Sequence, residues 1–148
     1  MPMCGRFLKE KNMQPEDLVR TLIDEAFNKG NLSVLEKVIH PEYEYWSPDS
    51  QLKGIGQLTD FIRAFRGAFP DLSLQINDFF SSDDRTCTAF TLKGTHEQDF
   101  MGIPATQKSA EVHGVVISRI KDNKIVEDRE LLDNLTFFQQ LGIVAEIS

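Results

Sequence analysis

The chain has little of what cofactor, metal or disulfide chemistry would need. It has two cysteines, Cys4 and Cys87, far apart in sequence and one of them in a polar N-terminal stretch. That spacing supports neither a disulfide framework nor a zinc site. The three histidines, His40, His96 and His113, form no metal-binding spacing. No glycine-rich phosphate loop, nucleophile elbow or calcium loop is present, so neither a metal nor a cofactor is expected. No apolar run approaches the length of a bilayer span, and Met1 to Asn12 is too polar for a secretory signal. A soluble, cytoplasmic protein without a membrane partner is expected. Basic charge is also in deficit: 16 Lys and Arg stand against 23 Asp and Glu, for a net charge of -7. A nucleic-acid partner, which needs a basic patch, is therefore not expected.

What remains is an ordinary globular composition, with 41% hydrophobic and 26% charged residues. At 148 residues the chain fits one domain. Residues 1–13 lack periodicity and read as a loose arm, leaving 14–148 as the domain. Pro15 followed by Glu16 and Asp17 opens a helix, with Leu18, Val19, Leu22, Ile23, Ala26 and Phe27 as its apolar stripe. A short helix is expected over 32–39, stopped by Pro41. A third follows Gly54 and Gly56, with Phe61, Phe65 and Phe69 on one side. An aromatic strand over 42–47 carries Tyr43, Tyr45 and Trp46. Later stretches alternate as strands over 72–80, 86–96, 112–120 and 124–132, and a helix over 135–141 closes the chain. Helices first and an antiparallel meander afterwards is the order of an α+β domain.

Glu130 is the most interesting single residue, because a carboxylate with apolar sequence neighbours is suited to proton transfer. Its direction depends on the turn between the last two strands. A three-residue loop, Lys121-Asp122-Asn123, places Glu130 opposite Gly114. It then shares the inner face with Val112, Gly114, Val116, Ser118, Val126, Asp128 and Leu132. The outer face carries His113, Val115, Ile117, Arg119, Ile125, Glu127, Arg129 and Leu131, and suits a homodimer surface. A two-residue turn at Asp122-Asn123 would swap half of this picture. Asp128 is expected nearer the rim, in solvent. The plainer alternative for Glu130 is a strand-end carboxylate, solvated or paired with an arginine. Asp133 reads as the N-cap of the last helix. Residues 98–107 suit a mouth loop in which Phe100 and Met101 cover a ligand.

Several pieces carry a resemblance: Ala68-Phe69-Pro70-Asp71-Leu72, Gly94-Thr95-His96, Gly102-Ile103-Pro104, and Asn123-Lys124-Ile125-Val126-Glu127 followed by Gln140-Leu141-Gly142. In that order they resemble the SnoaL-like polyketide cyclases of the nuclear transport factor 2-like superfamily, over roughly residues 15–143. The resemblance implies a cone-shaped α+β fold, a curved antiparallel sheet packed on three helices of the N-terminal half around a central cavity, usually as a homodimer. It also implies a pocket carboxylate acting as general acid/base in the intramolecular aldol closure of a polyketide ester, without a cofactor. The family's catalytic Asp falls on Glu130, and His96 matches a family histidine. A pocket histidine of the family falls on Val116, and Trp46 stands where relatives place His or Asn.

The expected catalytic residues are thus Glu130, with His96 as a polarising donor. The expected walls for a small hydrophobic molecule are Trp46, Phe65, Phe69, Phe90, Phe100, Val116 and Leu132. Two functions stay open: a cyclase or isomerase acting on a hydrophobic carbonyl compound, and a non-catalytic ligand-binding or dimerisation protein of the same fold.

Overall fold

The computed structural model describes residues 13–144; the expected arm over 1–13 lies outside them but for Met13. Helix α1, Pro15–Thr21, starts as its sequence dictates, with proline in the first turn and the Gln14 backbone N–H donating to Asp17 Oδ2 at 3.3 Å. It runs on as a π-helical segment, Leu22–Asn28. Its stripe of Leu18, Val19, Leu22, Ile23 and Ala26 is buried. A 3₁₀ turn, Leu32–Val34, leads into the single turn of α2, Leu35–Val38. Strand β1, Ile39–Trp46, begins earlier than expected and includes Pro41, beside an irregularity in its pairing between Ile39 and Glu44. After the short β2, Gln51–Lys53, comes α3, Gly54–Ala68. Four long strands follow: β3 Ser73–Ser82, β4 Arg85–Thr95, β5 Ser109–Lys121 and β6 Lys124–Leu132. Helix α4, Asn134–Gln140, ends the sequence of elements. Asp133 caps it as expected, accepting from the Thr136 N–H at 3.2 Å and the Thr136 hydroxyl at 2.7 Å.

The six strands form one sheet in the order β2-β1-β6-β5-β4-β3. The expectation of a wholly antiparallel sheet is corrected at one seam: β1 runs parallel to β6, with Tyr45 beside Asp128 and Trp46 beside Arg129. The sheet is therefore mixed. This pairing joins the first and last long strands, about 85 residues apart in sequence, and no local pattern announces it.

The β5–β6 turn also differs from expectation. It has two residues, Asp122 at φ 52° and Asn123 at φ 61°, the left-handed pair that matches strand twist. A bulge follows at once: Ile120 pairs with Ile125, yet Arg119 pairs with Glu127, leaving Val126 as the extra residue. The two departures cancel in parity. Beyond the bulge Val112, Gly114, Val116, Ser118, Asp128, Glu130 and Leu132 share one face, as expected, but Glu130 sits opposite Val116 and Gly114 opposite Leu132. Ile125, expected outside, turns in and is fully buried.

Helices α1 to α3 cover the inner face. One part of the core packs Leu18, Ile23, Val38, Tyr43, Leu58 and Ile62. The other is aromatic: Phe65, Phe69, Phe100 and Phe137 lie with ring centroids 4.9–6.5 Å apart. On the far face Val115, Ile117 and Leu131 are 41%, 45% and 61% exposed. Among the described residues no helix is long and apolar enough to cross a membrane.

Gly114 is where side-chain space runs out. A Cβ there would lie 2.6 Å from Phe90 Cζ, 3.0 Å from Leu132 Cδ1 and 3.1 Å from the Leu131 carbonyl oxygen. Because the last is backbone, Gly114→Ala is expected to destabilise the fold by about 1–3 kcal/mol. Urea denaturation of the two proteins measures this, and equal midpoints would contradict it.

Candidate functional site

Between the sheet and the helices lie two adjoining hollows. The inner one, about 70 Å³, is walled chiefly by Ile23, Phe27, Leu58, Leu74, Phe90 and Val116. The outer one, about 120 Å³, reaches past Phe100 and Met101 to Ser47, Asn134 and Phe138. Tyr45, Phe61, Phe65, Glu130 and Leu132 border both. Glu130 therefore stands where the two meet.

The parallel seam sets the polar geometry. Alternate residues of β1 and β6 point inward, so Tyr43 and Tyr45 face Asp128 and Glu130. The Tyr45 hydroxyl donates to Glu130 Oε2 at 2.6 Å, and the Tyr43 hydroxyl donates to Asp128 Oδ2 at 2.7 Å. Ser118, opposite Asp128 on β5, donates to Asp128 Oδ1 at 2.5 Å. Burial pushes the Glu130 carboxyl up from 4.5 to about 6; the Tyr45 bond holds it down in part, and the Asp128 charge adds a smaller upward push. Burial also raises Asp128, against the hydrogen bonds from Ser118 and Tyr43. Both phenols are driven well above their ordinary range, by burial first and then by the facing carboxylate, so they remain neutral donors.

The structure brings Glu130, Phe65, Phe90, Val116 and Leu132 to the hollows, with Phe100 at the outer one. It places three expected site residues elsewhere. Trp46 lies half-buried under the Arg129 guanidinium, 4.5 Å from its ring, and borders neither hollow. Phe69 is fully buried in the aromatic core. His96 is fully buried and stacked on Phe69 at 5.2 Å. Its Nδ1 accepts from the Thr106 N–H at 3.3 Å, and its Nε2 is buried without a partner among the described residues. His96 is thus not a wall of either hollow.

Asp128 corrects another expectation: it is 5% exposed and lines the inner hollow, not a solvated rim. Sequence alone does not single out the two tyrosines as site residues. Their period of two matches the period of two in Asp128 and Glu130, but only the parallel pairing joins the patterns. Among the described residues no group of His, Cys, Asp and Glu side chains is placed to hold a metal ion.

A family model described as SnoaL-like polyketide cyclase matches residues 17–141 of this chain. Aklanonic acid methyl ester cyclase DnrD of Streptomyces peucetius is 27% identical over 132 residues, covering 85% of this chain and 89% of that relative. The solved structure of TsrD from Streptomyces laurentii superposes with a TM-score of 0.78 at 27% identity, over 89% of this chain and 100% of that one. At 14% identity, a protein of ketosteroid isomerase-like fold from Catenulispora acidiphila matches with a TM-score of 0.74, over 92% of this chain and 99% of its own. That likeness fixes the fold as nuclear transport factor 2-like.

The raised Glu130 value has a consequence for stability. Since the folded carboxyl ionises at about 6 and the ordinary value is 4.5, the folded state binds more protons between them. Stability on this account falls as pH rises from 4.5 to 6, by about 2 kcal/mol. Glu130→Gln is therefore expected to exceed the parent protein by about 2 kcal/mol near pH 8 and to lose that advantage below pH 4.5. Urea denaturation across that range checks it, and a difference independent of pH would refute it.

Proposed function

Because the chain belongs to the SnoaL-like polyketide cyclase family, we propose that it closes a ring in a neutral polyketide ester by an intramolecular aldol reaction, with Glu130 as general acid/base. The observation that carries this reading is the position of Glu130 at the junction of two apolar hollows, bonded by Tyr45 and ionising at about 6. A carboxyl with that value is a base at neutral pH and still a competent acid after accepting a proton. Relatives named as aklanonic acid methyl ester cyclases support the choice of substrate class.

In this mechanism the Glu130 carboxylate takes a proton from a carbon flanked by carbonyl groups, and the C–H electrons form an enolate. The enolate carbon attacks a second carbonyl of the same molecule, making one carbon–carbon bond. The resulting alkoxide takes the proton back from Glu130, so the group ends as it began. Tyr45 fixes Oε2 and leaves Oε1 to face the substrate. The single Tyr45 hydroxyl proton is committed to Glu130, so Tyr45 orients the carboxylate and does not take the donor role expected of His96. Phe61 and Phe65 supply flat apolar walls that hold a flexible chain folded, the entropic share of the acceleration. Among the described residues the walls of the two hollows include Asp49, Asp128 and Glu130 and no Lys, Arg or His, so an anionic substrate is repelled and an ester favoured over its free acid. We infer in addition that the protein acts in the cytoplasm as a homodimer joined through Val115, Ile117 and Leu131.

Turnover of aklanonic acid methyl ester tests the reading. Glu130→Gln is expected to lower kcat about 10²–10⁴-fold, and Glu130→Asp less. Activity retained in Glu130→Gln would overturn the mechanism, while binding without turnover in the parent protein would favour a carrier. The rate should rise with pH through about 6 as the carboxyl ionises. Removing the Tyr45 bond in Tyr45→Phe should move that midpoint upward, because the bond holds the Glu130 value down. An unmoved midpoint would show that Tyr45 does not act on the working carboxyl.

A further inference from the structure

Asp128 is a buried carboxylate that the aldol mechanism leaves unused. It lies two residues before Glu130 on the same face of β6, about 7 Å along the strand. It is 5% exposed, yet it borders the inner hollow together with Tyr43. Each of its oxygens accepts one hydrogen bond, Oδ1 from Ser118 and Oδ2 from Tyr43. A carboxylate oxygen can accept two, so accepting capacity is left over on both. The donors here are already committed: the Tyr43 and Ser118 protons point at Asp128. Thr86, opposite Ser118 on β4, is 2% exposed and is not among the walls of the hollow, so its hydroxyl is not a partner for a ligand there. The Asp128 end of the inner hollow thus offers acceptors while the protons of Tyr43 and Ser118 are already bonded.

Fastening β1 to β6 would need only the Tyr43 bond. It would not need the carboxylate to border a hollow, since a pair packed entirely against side chains would do the same. A hollow whose inner end offers acceptors matches a ligand that brings a donor there. An anionic or ketone-terminated ligand brings none. We propose that Asp128, with Tyr43, is a second substrate-binding station that accepts a hydrogen bond from a hydroxyl group of the substrate, two residues and about 7 Å along β6 from Glu130. This rests on the reading of the hollows as a substrate site and adds to it the chemistry of the substrate's far end: a neutral hydroxyl, phenolic or alcoholic. Asp128 is a positioning residue in this scheme and takes no part in proton transfer to the reacting carbon.

Phenol and toluene test the station directly, since they differ only by hydroxyl against methyl and neither is turned over. Their dissociation constants are measured by NMR titration for the parent protein, Asp128→Asn, Asp128→Leu and Glu130→Gln. The ratio of phenol to toluene affinity is expected to fall about tenfold in Asp128→Leu and about threefold in Asp128→Asn, because a hydrogen bond to a charged acceptor is stronger than one to a neutral amide. Toluene binding reports whether the hollow is intact, and the Asn variant decides the matter if the Leu variant does not fold. In Glu130→Gln the ratio is expected to fall less than in Asp128→Asn, because the probe's hydroxyl is held at the Asp128 end of the hollow. An unchanged ratio in the Asp128 variants would overturn the proposal and leave Asp128 as a strand fastener. A ratio that falls equally in Glu130→Gln, or failure of both probes to bind the parent protein, would overturn it too. Since no turnover is involved, these outcomes are separate from loss of the aldol reading, which Glu130→Gln kinetics decide.

Discussion

Two tyrosine hydroxyls donated across the parallel seam, Tyr43 to Asp128 and Tyr45 to Glu130, hold the site together. Taking a carboxylate out of water costs several kcal/mol, and an apolar hollow offers nothing in return. A hydrogen bond to the charged form returns about 1.5–3 kcal/mol. The balance is visible in Glu130, where burial raises the value and Tyr45 limits the rise to about 6. Without the donor the group would move further toward a permanently neutral acid, unable to act as a base near neutral pH. Without the burial it would be an ordinary carboxylate, a weaker acid/base partner for carbon. The seam is therefore a structural joint and a chemical control at once.

The seam in turn depends on the bulge at Val126. A two-residue turn alone would send Glu130 outward with Arg129's neighbours, because side chains alternate. The two-residue turn sends Ile125 into the core, and the extra residue after it restores the parity, leaving Asp128 and Glu130 on the inner face. The left-handed Asp122 and Asn123 and the unpaired Val126 act as one device: the first makes a tight hairpin, the second re-aims the remainder of β6.

This explains which parts of the molecule could be read from the chain. The stripe of α1, the proline at its start, the Asp133 cap and the alternation of β4 and β5 are local patterns and survive folding unchanged. The inward aim of Glu130 was also legible, although through a turn and partner that the structure replaces by two compensating irregularities. The parallel pairing of β1 and β6 was not, since parallel pairing between distant strands leaves no local trace. Tyr43, Tyr45 and the burial of Asp128 were hidden for that reason. His96 and Trp46 show the opposite limit. Their positions suggested a site, but stacking on Phe69 draws one into the core, and packing under Arg129 turns the other away from the hollows.

The same walls that tune Glu130 also limit how a ligand can be oriented. Apolar contact is strong but without direction, so Phe61, Phe65, Phe90 and Leu132 line a hollow that would hold a hydrophobic molecule without deciding which of its carbons faces Glu130. Direction has to come from the few polar groups present, and along β6 these are two, both carboxylates with a tyrosine donor apiece. One such point fixes a distance; two on a single strand fix a line. A flexible chain bound along that line would present the same carbon to Glu130 each time, which is the condition for forming one ring and not a mixture.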